Sequence, residues 1–200
     1  MTDTSPYTSW WATDGSLKPK MTAQRLAHQQ KKSPGYTDDL HGYMALIPCG
    51  EDGTVRGPGR LVTVELASRS PSQLELLAVL CAHVLACAED QWEQPLIYTD
   101  CSDTGELLDR LLGLRTKRPG RRQKNFKPLP ELLAVIEALG DEVDYLHTEW
   151  RPRRSNPALR RADDLTHVRY KPSADLQPED WIDTPFQEVL SLAKEIGKRS

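Results

Sequence analysis

One segment near the middle of the chain, residues 72–102, constrains the fold more than any other. It reads SQLELLAVLCAHVLACAEDQWEQPLIYTDCS and predicts a helix followed by a strand. Glu75 lies in the first turn of the helix, and Asp100 ends the strand. Both acids lie inside or next to apolar runs, where a charged side chain is costly unless something compensates it. A bound cation would provide that compensation.

The predicted helix carries apolar side chains nearly all round its axis, which is typical of a helix buried on more than one side. Ser70 or Ser72 is a candidate N-cap, and Pro71 suits the first turn. His83 and the nearby cysteines are interpreted as filling the core. The apolar positions are Leu74, Leu76, Leu77, Val79, Leu80, Val84 and Leu85.

The rest of the chain alternates strands and helices. Three strands joined by turns suggest an antiparallel meander, and the strand-helix-strand units after it predict a mixed sheet covered by helices. The predicted order is β-β-β-α-β-α-α-β-α, with strands at 7–13, 42–48, 60–67, 96–100 and 143–149. The first predicted helix begins at 70–72, and the others lie at 104–112, 129–139 and 157–168.

Two hundred residues are enough for one domain with a real core. We predict a frayed tail over residues 1–6, a domain over 7–168 and a C-terminal extension over 169–200, irregular at 170–183 and helical at 185–198. Residues 17–41 are polar, with weak helical character at 23–32, and are interpreted as an insertion.

Composition excludes several classes of protein. Hydrophobic residues make up 38% of the chain, as in globular proteins, and no apolar stretch reaches the roughly 18 residues expected of a membrane span. The N-terminus lacks a basic region followed by an apolar block. The four cysteines form no CxxC pair. We therefore expect a cytoplasmic protein with reduced thiols, no membrane partner and a monomeric state.

Basic charge is concentrated in two short segments, although the net charge is −3. Residues 115–127 contain seven Lys or Arg and no acid, and residues 151–161 contain five Arg and no acid. Local charge of this density favours contact with phosphate, whereas solvated basic loops are the simpler alternative.

Four acids occupy similar positions in the predicted elements, because each lies on or at the end of a strand or helix. Asp14 ends the first strand, Glu75 and Asp163 lie on helices, and Asp100 ends the fourth strand. If strands one and four are neighbours, these carboxylates meet at one edge of the sheet. Oxygen ligands without His or Cys favour Mg²⁺ or Mn²⁺, and two such ions about 4 Å apart can act on a phosphodiester.

Four short motifs around these acids resemble, in the same order, the acidic motifs of the ribonuclease H family, bacterial type 1. The resemblance covers about residues 7–168. The motifs are Thr13-Asp14-Gly15-Ser16, Leu74-Glu75-Leu76-Leu77-Ala78, Tyr98-Thr99-Asp100 and Arg161-Ala162-Asp163-Asp164-Leu165.

The resemblance implies an α/β, ribonuclease H-like fold with a five-stranded mixed sheet, three strands antiparallel and then two parallel. It implies an endonuclease that hydrolyses the RNA strand of RNA–DNA hybrids with two Mg²⁺ ions, for which Mn²⁺ can substitute. Asp14, Glu75, Asp100 and Asp163 would be the catalytic residues and metal ligands. Asp164, about 100° round the helix from Asp163, should point elsewhere.

The same resemblance implies contacts to the substrate from three parts of the chain. The RNA strand would be recognised partly through its 2′-hydroxyls. Segment 115–128 corresponds to the basic protrusion of bacterial members. The implied substrate-binding residues are Ser72, Gln73, Ser102, Lys117, Arg118, Arg121, Arg122, Arg153 and Arg154.

Two departures from the family pattern affect these expectations. A long polar stretch replaces the Gly-rich loop after the first motif. The loop before Asp163 lacks the family's usual His. Arg153 or Arg154 would take over part of the role of this His in product release or proton handling, but Arg cannot donate a proton at neutral pH. His167 is a better candidate for that work than His147, which is interpreted as structural. We predict an active enzyme, and the departures favour a slower one.

Three other interpretations stay open from the sequence. The acids are unrelated surface charges of a folded domain, or the protein is a catalytically weak module that binds hybrid or double-stranded RNA. The third is a ribonuclease H-like nuclease that acts on DNA.

Overall fold

Six strands and six α-helices make up the part of the chain that the computed structural model describes, residues 6–32, 39–89, 94–113, 127–171 and 173–199. The strands are β1 (Ser9–Leu17), β2 (His41–Cys49), β3 (Gly59–Glu65), β4 (Pro95–Thr99), β5 (His147–Trp150) and β6 (Trp181–Pro185). The helices are α1 (Ala23–Lys32), α2 (Pro71–Glu89), α3 (Thr104–Leu111), α4 (Pro130–Leu139), α5 (Pro157–His167) and α6 (Phe186–Gly197).

The strands form one mixed sheet in the order β5-β4-β1-β2-β3-β6. Strands β1, β2 and β3 are antiparallel neighbours, whereas β4 is parallel to β1 and β5 is parallel to β4. The predicted fold class, a ribonuclease H-like sheet of three antiparallel and two parallel strands, is therefore confirmed. A sixth strand, β6, adds to it by pairing parallel with β3.

Alternation along the strands divides the core between the two faces of the sheet. Trp11 and Leu46 face the side covered by α2, α4 and α6. Ala12 and Ile47, the next residues along the same strands, face the side covered by α5. Helix α1 buries none of its residues and takes no part in this core.

Helix α2 is buried over most of its circumference, as its continuous apolar pattern predicted. It packs on β1 and β2 on one side and against α3, α4 and α6 on the others. By length and composition this helix is also apolar enough to cross a membrane, but 72% of the relevant window is buried inside the protein. A core helix meets the same criterion, so the finding is weak evidence for a membrane span.

The predicted end of the first strand and the predicted start of the fifth strand were wrong. Strand β1 does not end at Thr13 but continues to Leu17, because Gly15, Ser16 and Leu17 pair with β2. Strand β5 does not start at Val143 but at His147. Val143 belongs instead to a 3-10 helix, Gly140–Tyr145, and packs into the core.

The segment predicted to be irregular, 170–183, contains the start of β6. This strand is short and lies at the edge of the sheet, where Pro185 is tolerated because one side of an edge strand forms no ladder. Helix α6 follows directly and packs on α4 and α2. The C-terminal residues thus extend both the sheet and the helical layer.

Shortening a buried side chain of α2 tests how much this helix contributes to the free energy of unfolding. Leu80 is fully buried in the main cluster, so Leu80→Ala should lower the free energy of unfolding by about 2–5 kcal/mol through lost burial and a residual cavity. Leu133→Ala on the exposed side of α4 is the matched control, with an expected change within about 0.5 kcal/mol. Urea denaturation measures both, and equal losses would contradict the assignment of α2 as the central core element.

Candidate active site

Asp14 and Asp100 lie side by side because β1 and β4 are parallel and in register. Thr13 pairs with Thr99, and each is followed by one of the two acids. Asp14 lies within β1, and its side chain is only 4% exposed, whereas Asp100 follows the last residue of β4 and is half-buried. The register alone therefore brings two carboxylates to one edge of the sheet.

Glu75 reaches the same place from the first turn of α2, which approaches β1 closely at Gly15. A Cβ added at Gly15 would lie 3.1 Å from the backbone nitrogen of Glu75 and from the carbonyl group of Leu74. The Gly15 N–H donates a hydrogen bond to Glu75 Oε2 at 3.0 Å. Glycine is thus needed here for close contact between strand and helix, and that contact orients the Glu75 carboxylate toward Asp14.

Three of the four predicted acids form a compact set of oxygen donors. Carboxylate oxygens of Asp14, Glu75 and Asp100 all lie within 4.8 Å of one another. Three carboxylates that converge from three elements, without a His or Cys among them, are a donor set suited to a hard divalent cation such as Mg²⁺ or Mn²⁺. These residues therefore fit a divalent metal site.

The fourth acid, Asp163, lies on α5 and belongs to the same edge of the sheet. One turn further along α5, the Thr166 hydroxyl donates a hydrogen bond to Asp14 Oδ2 at 2.8 Å. The same hydroxyl oxygen lies 2.9 Å from the backbone carbonyl of Asp163, so its one proton is shared between the two acceptors. Helix α5 is thereby fixed to β1 at the site, with Asp163 facing it and Asp164 exposed on another side.

Arg153, in the loop between β5 and α5, joins three of these acids. Its Nη2 lies 3.0 Å from Asp14 Oδ1, its Nε lies 2.8 Å from Asp100 Oδ2, and its Nη1 pairs with Asp163 Oδ1. The contact that sequence reasoning assigned to a substrate is made, in this structure, with the acidic cluster itself.

Burial is the largest cause of the shifted pKa values in the cluster, and repulsion between the acids adds to it. Burial raises the pKa of Glu75 to about 9, and the charges of Asp14 and Asp100 add to this, while the Gly15 N–H and Arg153 oppose it. Burial also raises the pKa of Asp14, against the Thr166 hydrogen bond and the charge of Arg153. A divalent cation would stabilise the charged form of both groups, as it would at any repelling set of carboxylates.

Apart from Arg153, the residues predicted to contact substrate fall into three groups. Ser72, Ser102 and Arg154 are exposed close in sequence to the site residues. Gln73 is buried instead: its amide nitrogen donates to the Lys127 carbonyl at 3.0 Å, and its amide oxygen accepts from the Leu129 N–H at 2.7 Å. Lys117, Arg118, Arg121 and Arg122, with most of the predicted basic loop 115–128, lie outside the described residues.

His167 lies beside the site, whereas His147 does not. The Nδ1 atom of His167 is 3.7 Å from Asp163 Oδ1, and its ring contacts the Tyr170 ring edge-on, with centroids 5.3 Å apart. His147 lies on β5 with its ring against Tyr7, at 5.4 Å between centroids.

Sequence reasoning missed two positioning residues, Gly15 and Thr166. Gly15 belongs to the first acidic motif, but nothing local shows that a helix 60 positions away will pack against it. Thr166 had a recognisable signal, because it follows Asp163 by three positions and so shares its helical face.

The strand order and the placement of the helices define a ribonuclease H-like fold, with an acidic cluster at the edge where β1 and β4 meet. No protein-family model matches the chain, and no curated protein matches it in sequence.

Three solved structures are similar to this one. The first is LC11-RNase H1 in complex with RNA/DNA hybrid, with 13% identity and a TM-score of 0.45 over 80% of this chain and 94% of that chain. The second is LC9-RNase H1, a type 1 RNase H with the type 2 active-site motif, with 12% identity and a TM-score of 0.44 over 94% and 85%. The third is the N-terminal RNase H domain of Rv2228c from Mycobacterium tuberculosis, fused to maltose-binding protein, with 10% identity and a TM-score of 0.37 over 78% and 97%.

The raised pKa of Glu75 predicts that the metal-free protein loses stability as pH rises. The folded pKa is about 9 and the unfolded value is near 4.5, so between these values the folded form holds a proton that the unfolded form has lost. Unfolding is then favoured by each increase in pH across that window. With EDTA present, Tm should fall less steeply with pH in Glu75→Gln than in the parent.

Glu188→Gln is the matched control, since it removes an exposed carboxylate from α6. It should keep the parent's slope of Tm against pH. If Glu75→Gln also kept that slope, Glu75 would not be protonated in the folded protein at neutral pH.

Proposed function

We propose that this protein is an endonuclease that hydrolyses the RNA strand of RNA–DNA hybrids and requires two Mg²⁺ ions, with Mn²⁺ as a substitute. The observation that carries the proposal is the convergence of four acids, Asp14, Glu75, Asp100 and Asp163, from four elements of a ribonuclease H-like fold. Acids gathered against their own repulsion are typical of a functional site rather than of surface charge.

The four acids would hold the divalent ions, whose contribution when bound is to activate water and to neutralise charge that develops on the phosphate. The protein supplies the placement of the ligands. The sheet register fixes Asp14 beside Asp100, Gly15 orients Glu75, and Thr166 keeps one oxygen of Asp14 engaged. A rigid set of donors costs little reorganisation at the moment of reaction.

Contacts to the substrate would come from groups at the rim of the cluster. The hydroxyls of Ser72 and Ser102 are exposed and are suited to hydrogen bonds with 2′-hydroxyl groups. Arg154 and the basic segment would contact phosphates. Gln73 is left out of this set because both ends of its amide are already bonded to backbone.

Gln73 instead supports the proposal indirectly. It ties Lys127 and Leu129, where the basic segment 115–128 ends, to the first turn of α2, two positions from Glu75. The last basic residue of that segment is thus held beside the start of the helix that carries Glu75.

Neighbouring acids on α5 give a matched pair for the main test. Asp163→Asn should abolish cleavage of a labelled RNA–DNA hybrid in millimolar Mg²⁺ because it removes a metal ligand, whereas hybrid binding should persist. Asp164→Asn, which alters an exposed carboxylate one position away, should cleave like the parent. Gel analysis of the products with hybrid, double-stranded RNA and double-stranded DNA as substrates measures this.

The substrate that the protein cleaves identifies the reaction it catalyses. Cleavage of double-stranded DNA with no cleavage of hybrid would replace the proposal with a DNA nuclease of the same fold. Equal cleavage of hybrid by Asp163→Asn and the parent would dismiss the acidic cluster as the active site.

The basic segment can be tested through the salt dependence of hybrid binding. Replacing Arg118, Arg121 and Arg122 with Gln should weaken binding and reduce the slope of log K against log[salt] by about 0.9 for each phosphate that the protein no longer neutralises. Fluorescence anisotropy with Ca²⁺ in place of Mg²⁺ measures the slope. An unchanged slope would show that these residues do not contact the nucleic acid.

One observation favours a second candidate, a module that binds hybrid or double-stranded RNA and cuts it weakly. Arg153 contacts three carboxylates on which metal binding depends. If the guanidinium stays there in the presence of Mg²⁺, the parent should bind hybrid tightly and leave it intact.

A further inference from the structure

The Arg153 guanidinium lies among the carboxylates that a metal ion would use. Three of its nitrogens contact three acids from different elements, Asp14 of β1, Asp100 after β4 and Asp163 of α5. Planar guanidinium groups favour carboxylate pairs of this kind, because their donors are fixed in one plane. One side chain thus bridges most of the cluster.

The backbone that carries Arg153 is anchored on both sides. On one side, the Trp150 indole N–H donates to the Asp100 carbonyl at 3.0 Å and the Arg151 N–H donates to the Thr99 carbonyl at 2.9 Å. On the other, buried Asn156 caps α5 by accepting the Leu159 N–H at 3.0 Å. The position of Arg153 is therefore set by the fold.

The side chain itself is partly open to solvent. It is 35% exposed, against 33% for Asp163, 21% for Asp100 and 4% for Asp14. Water is therefore available to solvate the guanidinium if side-chain rotation takes it away from the carboxylates.

The charges do not balance in the contacts of Arg153. Three carboxylates contact one guanidinium, and Glu75 accepts the Gly15 N–H instead of pairing with it. A divalent ion among the same oxygens would carry more charge than the guanidinium and would repel it. Metal and guanidinium are therefore alternatives at Asp14 Oδ1 and Asp100 Oδ2.

We propose that Arg153 is a displaceable internal cation: it holds the carboxylates together in the metal-free protein and must leave them when a divalent ion binds. It acts on the metal through the ligands and is thus a positioning residue. The concentration of Mg²⁺ at which the site fills is then set by this competition. The inference rests on the metal-dependent function proposed above.

Calorimetric titration of the full chain with MgCl₂ and with MnCl₂, without nucleic acid, tests the competition. Arg153→Gln should bind each ion about tenfold more tightly than the parent, the scale of coupling between two ligands of one site. Arg153→Lys keeps the charge but cannot bridge three acids, so its affinity should fall between the two. Arg160→Gln, which removes an exposed charge on α5, should stay within about twofold of the parent.

Thermal unfolding gives a second readout that a merely structural role would not produce. Without metal, Arg153→Gln should have a lower Tm than the parent, because the carboxylates lose their counter-charge. Saturating Mg²⁺ should close most of that gap. A gap that persists at saturation would mean that Arg153 only supports the fold; if Arg153→Gln does not fold, the same comparison is made with Arg153→Lys.

Unchanged or weaker metal binding in Arg153→Gln would overturn the inference, as would an equal gain in Arg160→Gln or no metal binding in any variant. The proposed function is judged separately, by cleavage of hybrid. A parent that cuts hybrid while Arg153→Gln binds Mg²⁺ no better refutes only the competition. A parent that shows the competition but cuts no hybrid refutes only the nuclease.

Discussion

The burial of acidic side chains beside one another is the constraint on which the site depends. Asp14 is almost fully buried and Glu75 is partly buried. Burial raises the pKa of both, and the charge of Asp14 raises the pKa of Glu75 further. The fold accepts the cost of charging these acids at one edge of the sheet and offsets part of it with hydrogen bonds from Gly15 and Thr166 and with the charge of Arg153. Carboxylates this close together disfavour one another's charged form, and a bound cation would make that charged form favourable.

The topology explains how so few elements create this density of charge. Parallel pairing of β1 with β4 aligns two acids, and packing of α2 on β1 at a glycine adds the third. Helix α5 approaches the same edge from the opposite face of the sheet, so Asp163 and Thr166 meet Asp14 from the other side. The site thus lies where both layers of helices reach the end of two parallel strands, which is where ligands bind in many α/β proteins.

Most of the architecture could be predicted because its signals are local. The continuous apolar run of α2 and the proline at the start of α5 are each local sequence signals that involve only neighbouring residues. The errors arose where pairing between distant segments decides the outcome. Strand β6 forms because β3 offers it a free edge, and β1 extends to Leu17 because β2 continues alongside it.

The candidate site could likewise be predicted only in part from the sequence. The four acids could be named from the chain, because each lies at a recognisable position on a strand or helix. The neighbours that control them could not: Gly15 matters through a helix distant in sequence, Gln73 proved to be bonded to backbone, and Arg153 turned toward the acids. A residue's type determines what it is able to bind, and that much belongs to the sequence. Which partner it binds depends on side chains brought together by long-range packing, so only the tertiary structure decided it.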